Sequence, residues 1–344
     1  MSIARIRVIR VHFIEEVKMK LLGLSCGRKM QNTEILVKEA MMAAEELGAD
    51  VGMIRLLDLD IKPCTGCVNC VRSLMQGGPG KCVIKDDLHF VEEELMECDG
   101  LVVGSPVFVL TPHGLLKVIS DRFGPSHDYA FRMEAQKITE AKGKGKGPDK
   151  RFLKDRVSGF ISVGGAVTQN WLSLGLPLMN LFTFPSHIQV VDQMQVSGVS
   201  RWGHVVLNDE AMARARKLGR HVAEAMGRPH PEVKWTGDDP GTCPVCHSNL
   251  LTVPKKNPVE CAICGIRGEI KVEGDDISVT FSEKEQERAR LTIAGKLEHY
   301  LEIRDNFRIA AARKDLDQIP EKLKKYEGYG EIEKKGHGKV VNSQ

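Results

Sequence analysis

The sequence predicts an α/β fold: a doubly wound, five-stranded parallel sheet, followed by a small four-cysteine module and a C-terminal helix. Three observations predict it. Short apolar runs alternate with helical patterns from Lys20 to about Gly227. Two Cys-x-x-Cys pairs follow a cluster of turn residues, and a long charged helical pattern comes after them.

The strands are expected at Lys20–Leu24, Val51–Leu56, Leu101–Gly104, Val157–Val163 and Ile188–Asp192. Between the first two, Ile35, Leu36, Ala40, Ala43 and Leu47 recur at helical spacing, and Gly48 ends the pattern. A second helix starts at the Asp86-Asp87 cap and carries Phe90, Val91 and Leu95. Further helices are expected over Gly114–Phe123 and Glu210–Met226. Strands alternating with helices require a parallel sheet covered on both faces. Five of them fit the flavodoxin-like order, which puts a ligand at the carboxyl ends of the strands. Residues 142–150, a Lys-Gly repeat, read as a flexible basic loop before the fourth strand, either a solvated linker or a dock for an acidic partner.

Composition bounds the function. A 344-residue chain with 42% hydrophobic and 28% charged residues has room for a full core and an appendage. The net charge of +3 calls for neither nucleic acid nor membrane, and 5% aromatics weakens a base-stacking platform. No apolar stretch has the length of a membrane span, and residues 1–19 lack the apolar core of a secretory signal. A cytoplasmic protein is expected, in which the cysteine groups read as metal ligands rather than disulfides.

Eight of the ten fall into two groups. Cys64, Cys67 and Cys70, at two-residue gaps, with Cys82 downstream, have the spacing of a loop wrapped round an iron–sulfur cube; zinc, or no metal, is the alternative. Ahead of them, the turn from Ser25 to Thr33 suits a phosphate at a helix start, through Ser25, Gly27, Arg28, Asn32 and Thr33. It is neither a Gly-x-Gly-x-x-Gly fingerprint nor a Walker A loop. The third strand ends in Gly104-Ser105-Pro106-Val107-Phe108, whose backbone N–H groups can grip the polar edge of an isoalloxazine, followed by Lys117, Asp121 and Arg122. The fourth ends at Gly164-Gly165, where missing side chains admit a planar ring. His113 is placed to donate a proton, though a histidine that only packs at a helix start is the simpler reading.

With these motifs in place, residues 19–227 resemble the NAD(P)H-dependent FMN reductase superfamily, and within it the iron–sulfur flavoproteins. That family pairs a serine-containing loop ending in Asn-Thr with a strand ending Gly-Ser-Pro-Val-Tyr, and carries a compact cysteine run followed by Asp-Asp. Here these are Asn32-Thr33, Gly104–Phe108, Cys64–Cys82 and Asp86-Asp87. The resemblance implies FMN, one [4Fe–4S] cluster, a dimer or tetramer with the flavin near a subunit interface, and no side chain acting as nucleophile. It implies an oxidoreductase relaying electrons between a carrier such as ferredoxin or NAD(P)H and a small acceptor. Two features depart from the family: Gly27 replaces a proline, and the gap from Cys70 to Cys82 is long, leaving Cys82 the least secure ligand. A reductase with a structural cysteine loop, or a redox sensor, are the alternatives.

Cys243, Cys246, Cys261 and Cys264 form two knuckles separated by fourteen residues, a zinc-ribbon spacing that a rubredoxin-like iron also uses. Cys243-x-x-Cys246-His247 fits a c-type haem motif too, but the partner knuckle favours a single metal ion, with His247 at the surface. Charges of both signs alternate on the following helix, which favours a docking or oligomerisation module over a nucleic-acid reader. Ser282 to Glu285 reads as a capping box opening that helix, which breaks near Pro320 into a disordered tail. Cys26 is expected to be a small residue tolerated in a tight turn, with a redox-active thiol as the alternative, and Cys98 to be buried and inert. The expected division is an extension over 1–18, a flavin domain over 19–235 with its cysteine loop at 64–82, a ribbon over 236–280 and a helical segment over 281–344.

Overall fold

A computed structural model describes residues 18–330; most of the expected N-terminal extension and the expected tail lie outside them. The chain divides into two compact units, with the division between Tyr300 and Leu301.

In the first unit, five strands are parallel: β1 (Lys20–Ser25), β2 (Asp50–Arg55), β3 (Gly100–Phe108), β5 (Val157–Val163) and β6 (Gln189–Val196). A two-residue strand, β4 (Thr111–Pro112), folds back antiparallel on the end of β3. The spatial order β2-β1-β3-β5-β6 is the doubly wound order expected. The central strands β1, β3 and β5 are near-continuously buried because both faces of the sheet are covered. On one face α1 (Asn32–Glu45) and α7 (Asp209–Ala225) pack Leu36, Val37, Ala40, Leu218 and Val222 against Leu21, Val102 and Ile161. On the other face α3 (Leu88–Glu97), α4 (Gly114–His127) and α6 (Gly175–Thr183) bring Val91, Ile119, Phe123 and Phe182 against Leu24, Val103 and Phe160.

Three helices of the flavin domain were not expected: α6, α2 (Asn69–Met75), inside the cysteine loop, and α5 (Tyr129–Lys142), capped by the Asp128 carboxylate and ended by Gly143 in the left-handed region. The last parallel strand runs beyond Asp192, because the polar Gln193 and Gln195 that disguise it alternate with Met194 and Val196.

The four-cysteine module belongs to the same unit. Its antiparallel sheet has the order β10-β9-β8-β7, built from β7 (Leu251–Thr252), β8 (Val259–Cys261), β9 (Arg267–Glu273) and β10 (Asp276–Phe281). Ser282 Oγ accepts the Glu285 N–H at 3.3 Å, so the N-cap half of the expected capping box forms, while the Glu285 carboxylate accepts the Arg267 N–H at 2.8 Å instead. That cap opens only the short α8 (Glu283–Glu287), however, and the long α9 (Ile293–Ala311) starts afresh. The break has a cause: the Arg290 N–H is drawn to the Cys264 carbonyl at 2.9 Å, which turns the chain. α9 ends well before Pro320, which lies near the start of α10 (Ile319–Leu323). Among the described residues no helix is long and apolar enough to cross a membrane.

Candidate functional site

At the carboxyl ends of β1, β3 and β5 lies a cleft of about 490 Å³, within the usual range for small-molecule sites. Its floor is the turn from β1 into α1. Ser25 is fully buried and its Oγ accepts the Gly27 N–H at 3.1 Å, holding the turn closed. Gly27 is required by close approach: a Cβ there would meet the Thr33 Cβ at 2.7 Å. The N-cap of α1, Gln31, makes no side-chain cap, so the first-turn N–H groups and the positive end of the helix dipole face the cleft. That is the donor set a phosphate monoester needs, and the turn fits FMN's phosphate.

The expected binding residues divide into two sets. Gly27, Arg28, Asn32, Thr33, Pro106, Val107, Phe108 and Gly165 line the cleft. Ser25, Ser105 and Gly164 stand behind it. Ser105 Oγ accepts the His113 N–H at 2.9 Å and fixes the entry to α4. A Cβ on Gly164 would strike Leu172 at 2.1 Å, so this glycine makes room for a core side chain, not for a ring. The Asn32 amide is also committed: it donates to the carbonyls of Val199 and Arg201 at 2.9 and 2.8 Å and accepts from Val205 N at 3.1 Å. It therefore clamps the loop after β6, leaving its backbone N–H for a ligand.

Four further lining residues lie outside the expected binding set. Val199 and Ser200 follow the hidden end of β6, Leu57 follows β2, and Val163 ends β5. His113 also lines the cleft, and its role is more specific than packing. Its Nδ1 accepts the Leu115 N–H at 3.1 Å, which leaves the proton of the neutral ring on Nε2. Burial lowers its pKa, favouring that neutral form. Cys26, in the same turn, is an inert thiol, pushed by burial to about 12; Cys98 is likewise raised to about 11.

Directly after β2 comes the cysteine loop. Cys64 and Cys67 are exposed; Cys70 and Cys82 are half-buried. Burial raises the Cys70 thiol, and the neighbouring Cys82 and Cys64 sulfurs add to the rise. The Cys67 thiol is lowered, first by the Asn69 N–H. The Asp86-Asp87 pair closes the loop at its neck: Asp87 accepts the Asp60 N–H and Asp86 the Lys62 N–H, each at 2.8 Å. Arg122 seals it from within. This guanidinium, fully buried, contacts Asp86, donates to the Lys62 and Ile84 carbonyls at 3.2 and 3.3 Å, and reaches Cys82 Sγ at 3.3 Å. Sequence position put Arg122 with the residues after the flavin loop; its partners put it under the cysteine loop. Lys117 and Asp121, by contrast, pair with each other on the exposed face of α4.

The second cysteine group is closed and tight. Cys243, Cys246, Cys261 and Cys264 are buried, with all four sulfurs within 4.8 Å of one another. The Cys243–Cys264 and Cys246–Cys261 pairs are both 3.6 Å apart. Tetrahedral ligation at about 2.3 Å requires sulfurs roughly 3.8 Å apart, so the geometry fits one ion and leaves no open position. Hydrogen bonds from the other three sulfurs hold Cys261 well below the ordinary thiol range. His247 stacks on Trp235, with centroids 3.9 Å apart, rather than standing free at the surface.

Comparison with known proteins follows this division. The sequence profile of the NADPH-dependent FMN reductase family matches residues 19–198. The chain is 35% identical to a flavone synthase of Aspergillus candidus, over 76% of this chain and 81% of that protein. It is 29% identical to an iron–sulfur flavoprotein of Methanocaldococcus jannaschii, over 60% of this chain and 97% of that one. Among solved structures a flavone reductase superposes with a TM-score of 0.77 at 30% identity, covering 92% of this chain and 100% of that chain.

Proposed function

The chain belongs to the NADPH-dependent FMN reductase family, and from that premise we propose that it relays electrons between FMN in the cleft and a [4Fe–4S] cluster on Cys64, Cys67, Cys70 and Cys82. It is a flavin-dependent oxidoreductase of the iron–sulfur flavoprotein type with an added four-cysteine module. The observation that carries the proposal is placement: cleft and cysteine loop arise at the same end of one sheet, and Leu57, just before the loop, lines the cleft.

When bound, FMN supplies two-electron chemistry and an iron–sulfur cluster one-electron chemistry. The protein's own residues bind and orient. The turn at 27–33 supplies N–H groups to the phosphate, and Pro106 to Phe108 present a rigid edge to the ring. His113 holds a proton at Nε2 beside Phe108, their rings 5.6 Å apart, where it can donate to a reduced acceptor. Arg122 gives Cys82 a charge-assisted N–H···S partner, which favours its thiolate as the fourth ligand.

Electrons enter from a carrier such as ferredoxin or from NAD(P)H and leave to a small acceptor. The likeness to two flavone-acting proteins spans more than the flavin domain, which makes a planar aromatic ketone the first acceptor to try. The Cys243–Cys264 site takes zinc, or iron in the rubredoxin manner, and an oligomer covering the cleft is expected. Anaerobic purification with flavin, iron and sulfide analysis tests the proposal. It predicts FMN with about four irons and matching sulfide per chain beyond the single ion of the module; flavin with no sulfide overturns it in favour of a structural cysteine loop.

A further inference from the structure

Two features of the chain stand outside the relay: the long stretch between Cys70 and Cys82, and the Lys-Gly repeat at 142–146. The structure joins them. Thr139 Oγ1 donates to the Gly77 carbonyl at 2.5 Å, and Lys142 Nζ donates to the Gln76 carbonyl at 2.8 Å. Gly77 has φ +78, and a Cβ there would meet Ile138 at 2.7 Å, so the stretch lies directly on α5. The extra residues fold back on α2, with Gly80 N–H donating to Ser73 Oγ at 3.2 Å.

Together they form an open groove of about 720 Å³ on the cysteine loop. Arg72, Lys142, Lys144 and Lys146 line it, and none of its lining residues is acidic. Among the described residues none of these four cations is paired with a carboxylate. Arg151, Arg214 and Arg216, by contrast, each hold two or more carboxylates. Four cations with no acidic neighbour in the lining thus face one groove, beside Cys70.

We propose that this groove is the docking surface for an acidic protein electron carrier, one that reaches the cysteine loop directly; the proposal rests on the cluster reading above. Unpaired cations over a low, open surface raise the encounter rate of an acidic partner and orient it. On docking, one electron passes from the reduced carrier to the centre held by the loop. The carrier is oxidised by one electron, the loop's centre is reduced by one, and no proton or bond is exchanged. The long Cys70–Cys82 gap then serves to carry the cationic rim, which a shorter loop cannot support.

The test uses the full chain, purified anaerobically, with a reduced acidic [2Fe–2S] ferredoxin in stopped flow. The wild-type second-order rate should fall as salt rises through about 0.02 to 0.5 M, as screening shortens to a few ångströms. Lys144→Glu with Lys146→Glu should lower the low-salt rate about tenfold or more and flatten the salt dependence. Photoreduction by a neutral deazaflavin, and iron and FMN contents, should be unchanged. An unaltered rate and salt slope in the double variant overturn the docking surface. So does competition by ATP at constant ionic strength, which assigns the groove to a small polyanion. If the protein carries no iron but the variant still slows flavin reduction by ferredoxin, the surface stands and the cluster reading falls.

Discussion

Arg122 is buried to 1% exposure, and one of its five donors reaches the sulfur of Cys82. A cation so placed is costly unless every contact is kept, and it pairs with Asp86 at the neck of the loop. Arg122→Lys retains the charge but not the fork, so it should lower iron per chain several-fold and shift the potential of any retained cluster downward, while leaving FMN content intact. Iron analysis and a redox titration followed by electron paramagnetic resonance check this. A second residue carries a pH signature. His187, in the left-handed region at φ 56, gives its Nδ1–H to the Leu291 carbonyl at 2.9 Å. Burial first, then the nearby His230 and Lys296, hold its pKa down to about 4. The unfolded chain takes up a proton below about pH 6.5 that the folded one refuses. Stability contributed by neutral His187 is therefore present above that pH and is lost as pH falls toward 4. His187→Asn, which keeps the backbone conformation accessible, should reduce the slope of the denaturation midpoint against pH across this window.

At the scale of elements, the hairpin from β3 to β4 is the least relaxed part of the cleft wall. Val109 and Leu110 both have positive φ, 49 and 72, in a turn that favours Asn-Gly. Val109 is β-branched and 92% exposed, so burial does not offset its strain. Replacing the pair by Asn-Gly should raise stability by about 1 kcal/mol and the thermal midpoint by a few degrees. If Val109 serves the acceptor, KM should rise as well. The strands show how far periodicity carries. Leu21 to Leu24 and Val157 to Val163 are buried on both faces and were readable as apolar runs. β6 was cut short in the reading because Asp192, Gln193 and Gln195 interrupt its run, and Asp192 is buried only through Arg214 and His221 on α7. The loss of Val199 and Ser200 from the expected site follows from that one missed strand end. Gly164 lies behind the cleft against Leu172, while Asn32 lines it with its side chain holding the loop after β6; sequence does not distinguish a glycine facing a ligand from one facing a core side chain.

For the whole molecule, the fold class was legible because two independent patterns, strand–helix alternation and paired knuckles, describe its two parts. What was hidden was how they join. Trp235 on His247, Gln193 on the His247 carbonyl at 3.0 Å, and buried Lys296 on the Phe184 carbonyl tie the four-cysteine module to the sheet through residues far apart in sequence. Cys246→Ser should therefore release the single ion and lower the thermal midpoint, while leaving FMN and sulfide contents in place. The two cysteine groups thus give the account a clean separation. Metal and sulfide analysis of Cys67→Ser beside wild type, with the visible spectrum of each, tests its central claim most directly. The account predicts that Cys67→Ser loses about four irons and the acid-labile sulfide while keeping FMN and the single ion of the module. Unchanged iron and sulfide in Cys67→Ser would contradict it.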